Sequence, residues 1–345
     1  MQTAGPLIIG VLAVALLILI HEIGHFAVAR LFGMRVKRFS IGFFKPLIEW
    51  RPRGGETVYS IGAVPLGGYV AIDGLGPEDE VDPEDRRSYA NQPAVARLAM
   101  IVAGPLANFL AAAVVYVVLF NVGFPAPVST PHVGGVADGR PARAAGLRPG
   151  DLITTVAGEP VETWNEMARE VRRHRGTQIP LDVRRGAETV RLLVTPDPRS
   201  GIIGVTPATR LERTRPLESV GAGIATAALS TAGMALLIWH MATGERSTED
   251  VSGPVGIVQI IIDAWREGWR AILALVAQLS ISLCIFNFLP IPALDGGRVV
   301  FLAIEAVSRR RVNRTVEGYV HAAGFLLLIG LLLLVTYRDI LKMLS

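Results

Sequence analysis

Residues 21–25 read His21-Glu22-Ile23-Gly24-His25 and close an apolar run that begins at Leu7. Two histidines four apart share one face of a helix, about one turn from each other. They present two imidazole nitrogens to a single zinc ion, and Glu22 beside them is placed as a general base. The setting sharpens the signal. An ionisable side chain inside a membrane helix costs about 2.5–3.5 kcal/mol on insertion scales. His21, Glu22 and His25 together therefore require a compensating partner, and a metal ion supplies one.

A catalytic zinc usually takes three protein ligands and a water. The candidate third ligand is Asp295, in the stretch Asn287-Phe288-Leu289-Pro290-Ile291-Pro292-Ala293-Leu294-Asp295-Gly296-Gly297. Pro290 and Pro292 interrupt a helix and remove backbone donors. Carbonyls left without helical partners at membrane depth are tolerated only around a protein-lined or wet cavity. Taken alone, Asp295 is explained equally well by an Asp-Gly turn or a helix N-cap. Beside the two histidines and the topology below, the reading is ligation.

The elements that must position these groups are membrane spans. The chain of 345 residues is 51% hydrophobic, and its mean hydropathy of +0.43 is that of an integral membrane protein. Apolar segments run over residues 6–31, 98–122, 217–241, 269–289 and 319–337. The net charge of +4 is modest, and its basic residues flank apolar runs, which reads as topology and not as nucleic-acid binding. Cys284 is the single cysteine, so a disulfide within the chain is excluded. The first segment lacks a basic leader region and ends in the histidine motif, so it reads as a retained span.

Basic residues orient the spans. Arg30, Arg35, Lys37, Arg38, Lys45, Arg51 and Arg53 follow the first segment, and Arg298, Arg309, Arg310, Arg311 and Arg314 precede the last. Both loops read as cytoplasmic, which puts the N-terminus and the polar stretch 125–215 outside. The fourth segment must then run inward to bring Asp295 to the side of His21 and His25. That parity fails if 217–241 also crosses, so this segment is expected to lie along the membrane or re-enter, leaving about four spans. Residues 57–73, with Gly62, Pro65, Gly67 and Gly68, read as a β-hairpin or looped strands. The acidic run at 74–87 reads as a solvated or disordered loop.

Residues 131–196 read as short strands, a Gly-rich turn and a helix near 164–173. The pattern Ala145-Gly146-Leu147-x-x-Gly150-Asp151 resembles PDZ domains of the circularly permuted bacterial type. That resemblance implies a groove where a peptide C-terminus adds as a strand, with a carboxylate-binding turn at Val133, Gly134, Gly135 and Val136.

Taken together, the motifs resemble the site-2 proteases, intramembrane zinc metalloproteases, in the bacterial regulator-of-sigma-E group with one PDZ domain. The resemblance rests on the HEIGH motif, Gly67-Gly68-Tyr69-Val70, Ala103-Gly104-Pro105-Leu106-Ala107-Asn108, Ser252-Gly253-Pro254-Val255-Gly256 and the Asn-x-x-Pro-x-Pro-x-Leu-Asp-Gly string, in that order. It implies a polytopic α-helical membrane protein with a membrane-associated β-element and an inserted α+β PDZ domain. The expected parts are residues 1–125, a PDZ domain at 126–210, membrane-associated linker helices at 211–268 and a C-terminal membrane part at 269–345. It implies Zn2+ on His21, His25 and Asp295, with Glu22 catalytic. Substrate backbone would meet Asn287, Pro290, Pro292, Gly67, Gly68 and Tyr69. Expected partners are single-pass membrane proteins already trimmed outside and the lipid bilayer, with the enzyme in the plasma membrane, its site toward the cytoplasm and the PDZ domain extracytoplasmic. Asn108 reads as a contact between spans, and His132, His174, His240 and His321 as non-ligands.

Two other classes compete. A catalytically silent PDZ scaffold would be free to lose Glu22 and both histidines, yet all three are present. A metal transporter usually carries its intramembrane ligands in paired repeats, and the sequence shows no internal repeat.

Overall fold

The computed structural model describes residues 4–76, 79–245 and 253–344. Ser252 of the Ser-Gly-Pro-Val-Gly motif, and Pro77 and Glu78 of the acidic run, lie outside the described residues. The chain forms two compact units, one of residues 1–119 with 216–345 and one of residues 120–215.

In the first unit, the apolar run becomes α1 (Ala4–Leu31). Two long strands follow, β1 (Val36–Trp50) and β2 (Val58–Ile72). Then comes α2 (Ala94–Val122), which carries Pro105 in its interior. After the second unit the chain continues as α5 (Pro216–Ala242), α6 (Pro254–Glu267), α7 (Trp269–Phe288), α8 (Asp295–Ser308) and α9 (Arg314–Leu344). Lipid offers no hydrogen bonds to the backbone, so apolar segments of this length close their own bonds as helices. Among the described residues, five helices are long and apolar enough to cross a membrane: α1, α2, α5, α7 and α9. The expectation was about four. The difference is α5, whose Ala, Gly, Ser and Thr residues still leave it apolar enough by composition.

Small residues bring these helices together, as is usual where burial of apolar surface supplies no drive. A Cβ on Gly24 of α1 would strike the Ala103 carbonyl of α2. One on Gly223 of α5 would strike Val117 of α2, and one on Gly324 of α9 would strike Pro292.

The β-element is antiparallel and doubly folded. Arg38 pairs with both Ala71 and Val58, Ser40 with both Tyr69 and Ser60, and Ile48 with Ile61. The 36–41 half of β1 thus lies between the two halves of β2, and residues 68–72 form a sheet edge. Gly42 (φ 84°) and Gly67 (φ 96°) supply left-handed bends that cost a glycine little. Phe26 of α1 meets Phe39 edge-on at 5.1 Å, which seats the element on the helix.

The acidic stretch departs from its expectation. Lys37 Nζ lies 2.7 Å from both Asp73 and Asp79, and Arg35 lies 2.8 Å from Asp85. The Arg314 guanidinium donates to the Gly74, Gly76 and Asp79 carbonyls. Arg35 and Lys37 pair with Asp85 and Asp79 of the run, and Arg314 pins its backbone. Composition alone could not reveal those distant partners.

The second unit contains β3 (Phe124–Pro127), β4 (Val133–Val136), α3 (Pro141–Ala144), β5 (Leu152–Val156), β6 (Glu159–Pro160), α4 (Trp164–Arg173), β7 (Ile179–Arg185), β8 (Glu188–Val194), β9 (Val205–Pro207) and β10 (Thr209–Glu212). Four strands make an antiparallel sheet in the order β6-β5-β7-β8, while β4 pairs with β9 and β3 with β10. Leu147, Ile153, Leu181, Val183 and Met167 fill one core. A capping box starts α4: Thr163 Oγ1 accepts from the Glu166 N–H, and the Glu166 carboxylate accepts from the Thr163 N–H. Gly150 (φ 93°) makes the turn of the Ala-Gly-Leu-x-x-Gly-Asp pattern. The buried Asp151 carboxylate then takes two donors from Arg185, each at 2.8 Å. The fold is that of a polytopic helical membrane protein with a PDZ-like insert.

Candidate metal centre and catalytic cavity

The helical pitch of α1 sets His21 and His25 one turn apart, with their Nε2 atoms 3.1 Å from each other. Asp295 is the first residue of α8 and enters from the break after α7. Its Oδ2 lies 3.0 Å from His21 Nε2 and 3.3 Å from His25 Nε2. These three side chains are the group among the described residues whose ligand atoms could share one metal ion. Nitrogen and oxygen ligands about 2.0–2.1 Å from a tetrahedral zinc stand about 3.3 Å from each other, close to the 3.0, 3.1 and 3.3 Å found. Asp295 Oδ2 is also buried without an aligned hydrogen-bond donor among the described residues. A bound cation would satisfy it, so the residues fit zinc.

Neighbouring groups orient both imidazoles. His25 Nδ1 lies 2.8 Å from the Met100 carbonyl of α2, so it donates there and leaves Nε2 as the free lone pair. His21 Nδ1 lies 3.3 Å from the side-chain amide of Asn108. Asn108 is fully buried, and its Oδ1 has no other partner among the described residues. Turning that amide end for end, a choice the hydrogen-bond network decides, lets Oδ1 accept from His21 Nδ1–H and frees His21 Nε2. Ser280 of α7 donates to the Asn108 main-chain carbonyl at 2.7 Å, which ties three helices at this level. Gly104 makes the approach possible, because a Cβ there would collide with the His25 ring.

The break that delivers Asp295 is held from α9. Ala293 sits at φ 79°, a conformation that costs a non-glycine residue of order 1–3 kcal/mol unless its surroundings enforce it. The Ala293 N–H donates to His321 Nδ1 at 2.8 Å. His321 is thus no ligand, but it buttresses the segment that carries one. Pro292 packs on Gly324 of α9.

A cavity of about 290 Å³ opens onto the cluster. Glu22, Tyr69, Val70, Asn287 and Arg298 line it together with the three ligands. Glu22 accepts a hydrogen bond from the Val70 N–H of β2 at 3.1 Å, which places a carboxylate at the sheet edge beside the metal cluster. The Asn287 amide donates to the Leu283 carbonyl at 2.9 Å.

The other expected contacts fall elsewhere. Gly67 bends against Ile18 and Gly68 backs onto the Ser40 carbonyl. Pro290 and Pro292 are absent from the cavity wall, where they act by shaping the break. In the second unit, a separate cavity of about 130 Å³ runs along α4 beside residues 201–205. Val133 is buried in the core, and Gly134 and Gly135 back onto Pro207 and Thr206 of the β9 region, so Val133–Val136 do not line that cavity. Sequence reading used Arg298 only to orient the loop before the last span, and it passed over the orienting part of Asn108. The available signals were spacing: Arg298 lies one helical turn past Asp295, and Gly104 and Asn108 share one face of α2.

Known proteins match along this same frame. A solved PDZ domain of an SdrC-like protein from Listeria monocytogenes is 24% identical, covering 23% of this chain and 88% of that one, with a TM-score of 0.21. The zinc metalloprotease RasP of Geobacillus kaustophilus is 30% identical over 423 residues, covering 99% of both chains. A candidate zinc metalloprotease of Clostridium acetobutylicum is 32% identical over 338 residues, covering 97% of both. The model of peptidase family M50 matches residues 9–331. A match that runs from within α1 to within α9 takes in every residue of the metal cluster, and the chain belongs to peptidase family M50, the site-2 proteases, as a zinc metalloprotease of that family.

Proposed function

We propose that this chain hydrolyses peptide bonds in the transmembrane segments of single-pass proteins already trimmed outside the bilayer, such as anti-sigma factors or remnant signal peptides. The observation that carries this reading is one cavity holding a zinc-compatible ligand set, Glu22 and an open β-edge.

His21, His25 and Asp295 would hold the zinc, which when bound acidifies a water and polarises the scissile carbonyl. Glu22 accepts the proton of that water and later delivers it to the leaving amine. A substrate helix hides its peptide groups in internal bonds, so it must unwind before it is cut. Residues 68–72 of β2 offer edge groups to an extended segment, and Asn287 adds a side-chain amide. The cavity of the PDZ-like unit along α4 suits a peptide C-terminus, so that this unit docks or sieves substrates.

The ends of α6 support four crossings. Asp339 of α9 accepts from the Gly253 and Gly256 N–H groups, and Gly5 of α1 faces Trp265. At 1.5 Å per residue, Asp339 and Gly5 each lie about 22–24 Å along their helices from the level of the site. Both ends of α6 therefore sit at the face opposite the site. Gly223 of α5 packs on Val117, near the C-terminal end of α2, at that same face. Residues 243–252 are too few for a helical return across the bilayer, which favours α5 as a helix that does not complete a crossing. With the basic loops inside, the site opens toward the cytoplasm.

Cleavage of a single-pass reporter by purified protein in detergent tests the reading. Wild type should cut within the transmembrane segment. A chelator should abolish the cut, as should Glu22→Gln with its zinc retained. Zinc-loaded wild type that cuts no member of a varied panel of trimmed helices would return weight to a scaffold or a transporter.

A further inference from the structure

In the proposed hydrolysis, the zinc would be the one partner so far assigned to the charge that develops on the scissile carbonyl oxygen. As the water oxygen bonds to the scissile carbon, the carbonyl π pair moves onto oxygen. When the carbon–nitrogen bond breaks, the pair on oxygen re-forms the carbonyl, and the carbon–nitrogen pair leaves on nitrogen and takes the proton from Glu22. The acid product passes its remaining proton to the amine and ends as a carboxylate. Such sites gain most from donors fixed in advance around the oxygen.

The cavity offers few unspent donors. The Val70 N–H is taken by Glu22, and one of the two N–H groups of the Asn287 amide goes to the Leu283 carbonyl, leaving the other for substrate backbone. Arg298 is the one Lys or Arg among the residues lining the cavity. Helix α8 carries it one turn beyond Asp295, on the same face. Its recorded contacts are both long: 3.5 Å from Nη1 to the Leu75 carbonyl and 3.9 Å from Nη1 to Glu317. A guanidinium has five N–H donors in a planar fork that suits a carboxylate. Its side chain is 28% exposed, so it is half-buried yet open to the cavity.

We propose that Arg298 binds the scissile carbonyl oxygen as charge develops there and then the carboxylate of the cleaved product. This rests on the protease reading above. It makes Arg298 a catalytic residue in addition to Glu22 and the metal ligands.

The test has two arms, both on the full-length, zinc-loaded protein. In the first, Arg298→Met should lower kcat about 10²–10³-fold with KM within about threefold and zinc content unchanged. In the second, Glu22→Gln protein is titrated with the peptide left by cleavage of the reporter and with its C-terminal amide. The acid should bind about tenfold tighter than the amide, and adding Arg298→Met should remove most of that preference while Arg298→Lys keeps part of it. An unchanged kcat in Arg298→Met, or an acid preference that survives it, overturns the proposal while wild-type cleavage leaves the protease reading standing. Should Arg298→Met lose zinc, Arg298→Lys decides: zinc retained with no acid preference overturns the proposal. A wild type that cuts nothing sinks the protease reading, and this proposal with it.

Discussion

The two compact units of this chain bury opposite things. The unit of residues 120–215 packs Leu147, Ile153, Leu181 and Val183 inside and turns Asp182 and Arg191 outward as an ion pair. The membrane unit buries His21, His25, Asn108 and Ser280 and leaves Leu12, Leu229, Leu326 and Leu333 on its surface. The first follows the rule of water, where removing apolar surface drives folding. The second follows the rule of lipid, where apolar side chains gain little from burial and polar groups must find partners inside. Its cohesion adds glycine-mediated contacts and polar anchors such as Ser280 on Asn108 to an apolar cluster of Met34, Val36, Ile72 and Met100. The other unit builds its cavity beside α4 partly from the core itself, through Met167, Val171 and Ile203.

The largest test of that contrast is Asp295→Ala. Zinc in protein sites binds with on the order of 10 kcal/mol or more from a full ligand set, so losing one ligand should cost on the order of 10³-fold in zinc affinity. Cleavage should vanish with the metal, and the urea midpoint of residues 120–215, followed by limited proteolysis, should not move. Stoichiometric zinc in this variant would break the assignment of the third ligand.

Leu181→Ala comes next and reverses the pattern. Truncating a fully buried Leu costs about 2–5 kcal/mol. The proteolysis midpoint of the PDZ-like unit should fall accordingly, with zinc per chain unchanged. A coupled loss of zinc would show that the two units are not energetically separate.

Asn108→Ala probes the orienting shell. Partners of metal-bound histidines are typically worth 10–100-fold in metal affinity or activity, so competition with a chelator should show a loss of about that size. Asn108→Asp keeps the acceptor that faces His21 Nδ1–H and should recover most of the affinity. Equal affinity in Asn108→Ala and wild type would reduce Asn108 to a contact between spans.

The smallest effect is one of pH. Hydrogen bonds from Arg191, then Thr155, hold the Asp182 carboxyl down at about 2. Because this value is depressed on folding, the contribution is present in full above the unfolded value near pH 4. It is lost as pH falls through about 2. Acid titration of the PDZ-like unit should show this loss between those limits, and Asp182→Asn should flatten the curve there. An unchanged curve in the variant would show that other carboxylates govern acid unfolding.

Sequence alone determined the chemistry and the solvent. The spacing of His21 and His25 needs only the 3.6-residue pitch of a helix, and the length of the apolar runs needs only the thickness of a bilayer, so both are local properties. The turn around Gly150 and the start of α4 at Thr163 were local in the same sense. Tertiary structure alone decided that Asp295 lies 3.0 Å from His21, because two prolines mark a break without stating where its far side lands. It also decided that Asn108 faces His21, that Arg314 gathers the carbonyls of the acidic stretch, and that Arg298 enters the cavity. Each is a contact between residues far apart in the chain, set by how closely glycines let helices approach. No periodicity records that distance, since it depends on what a neighbouring element lacks as much as on what this one carries.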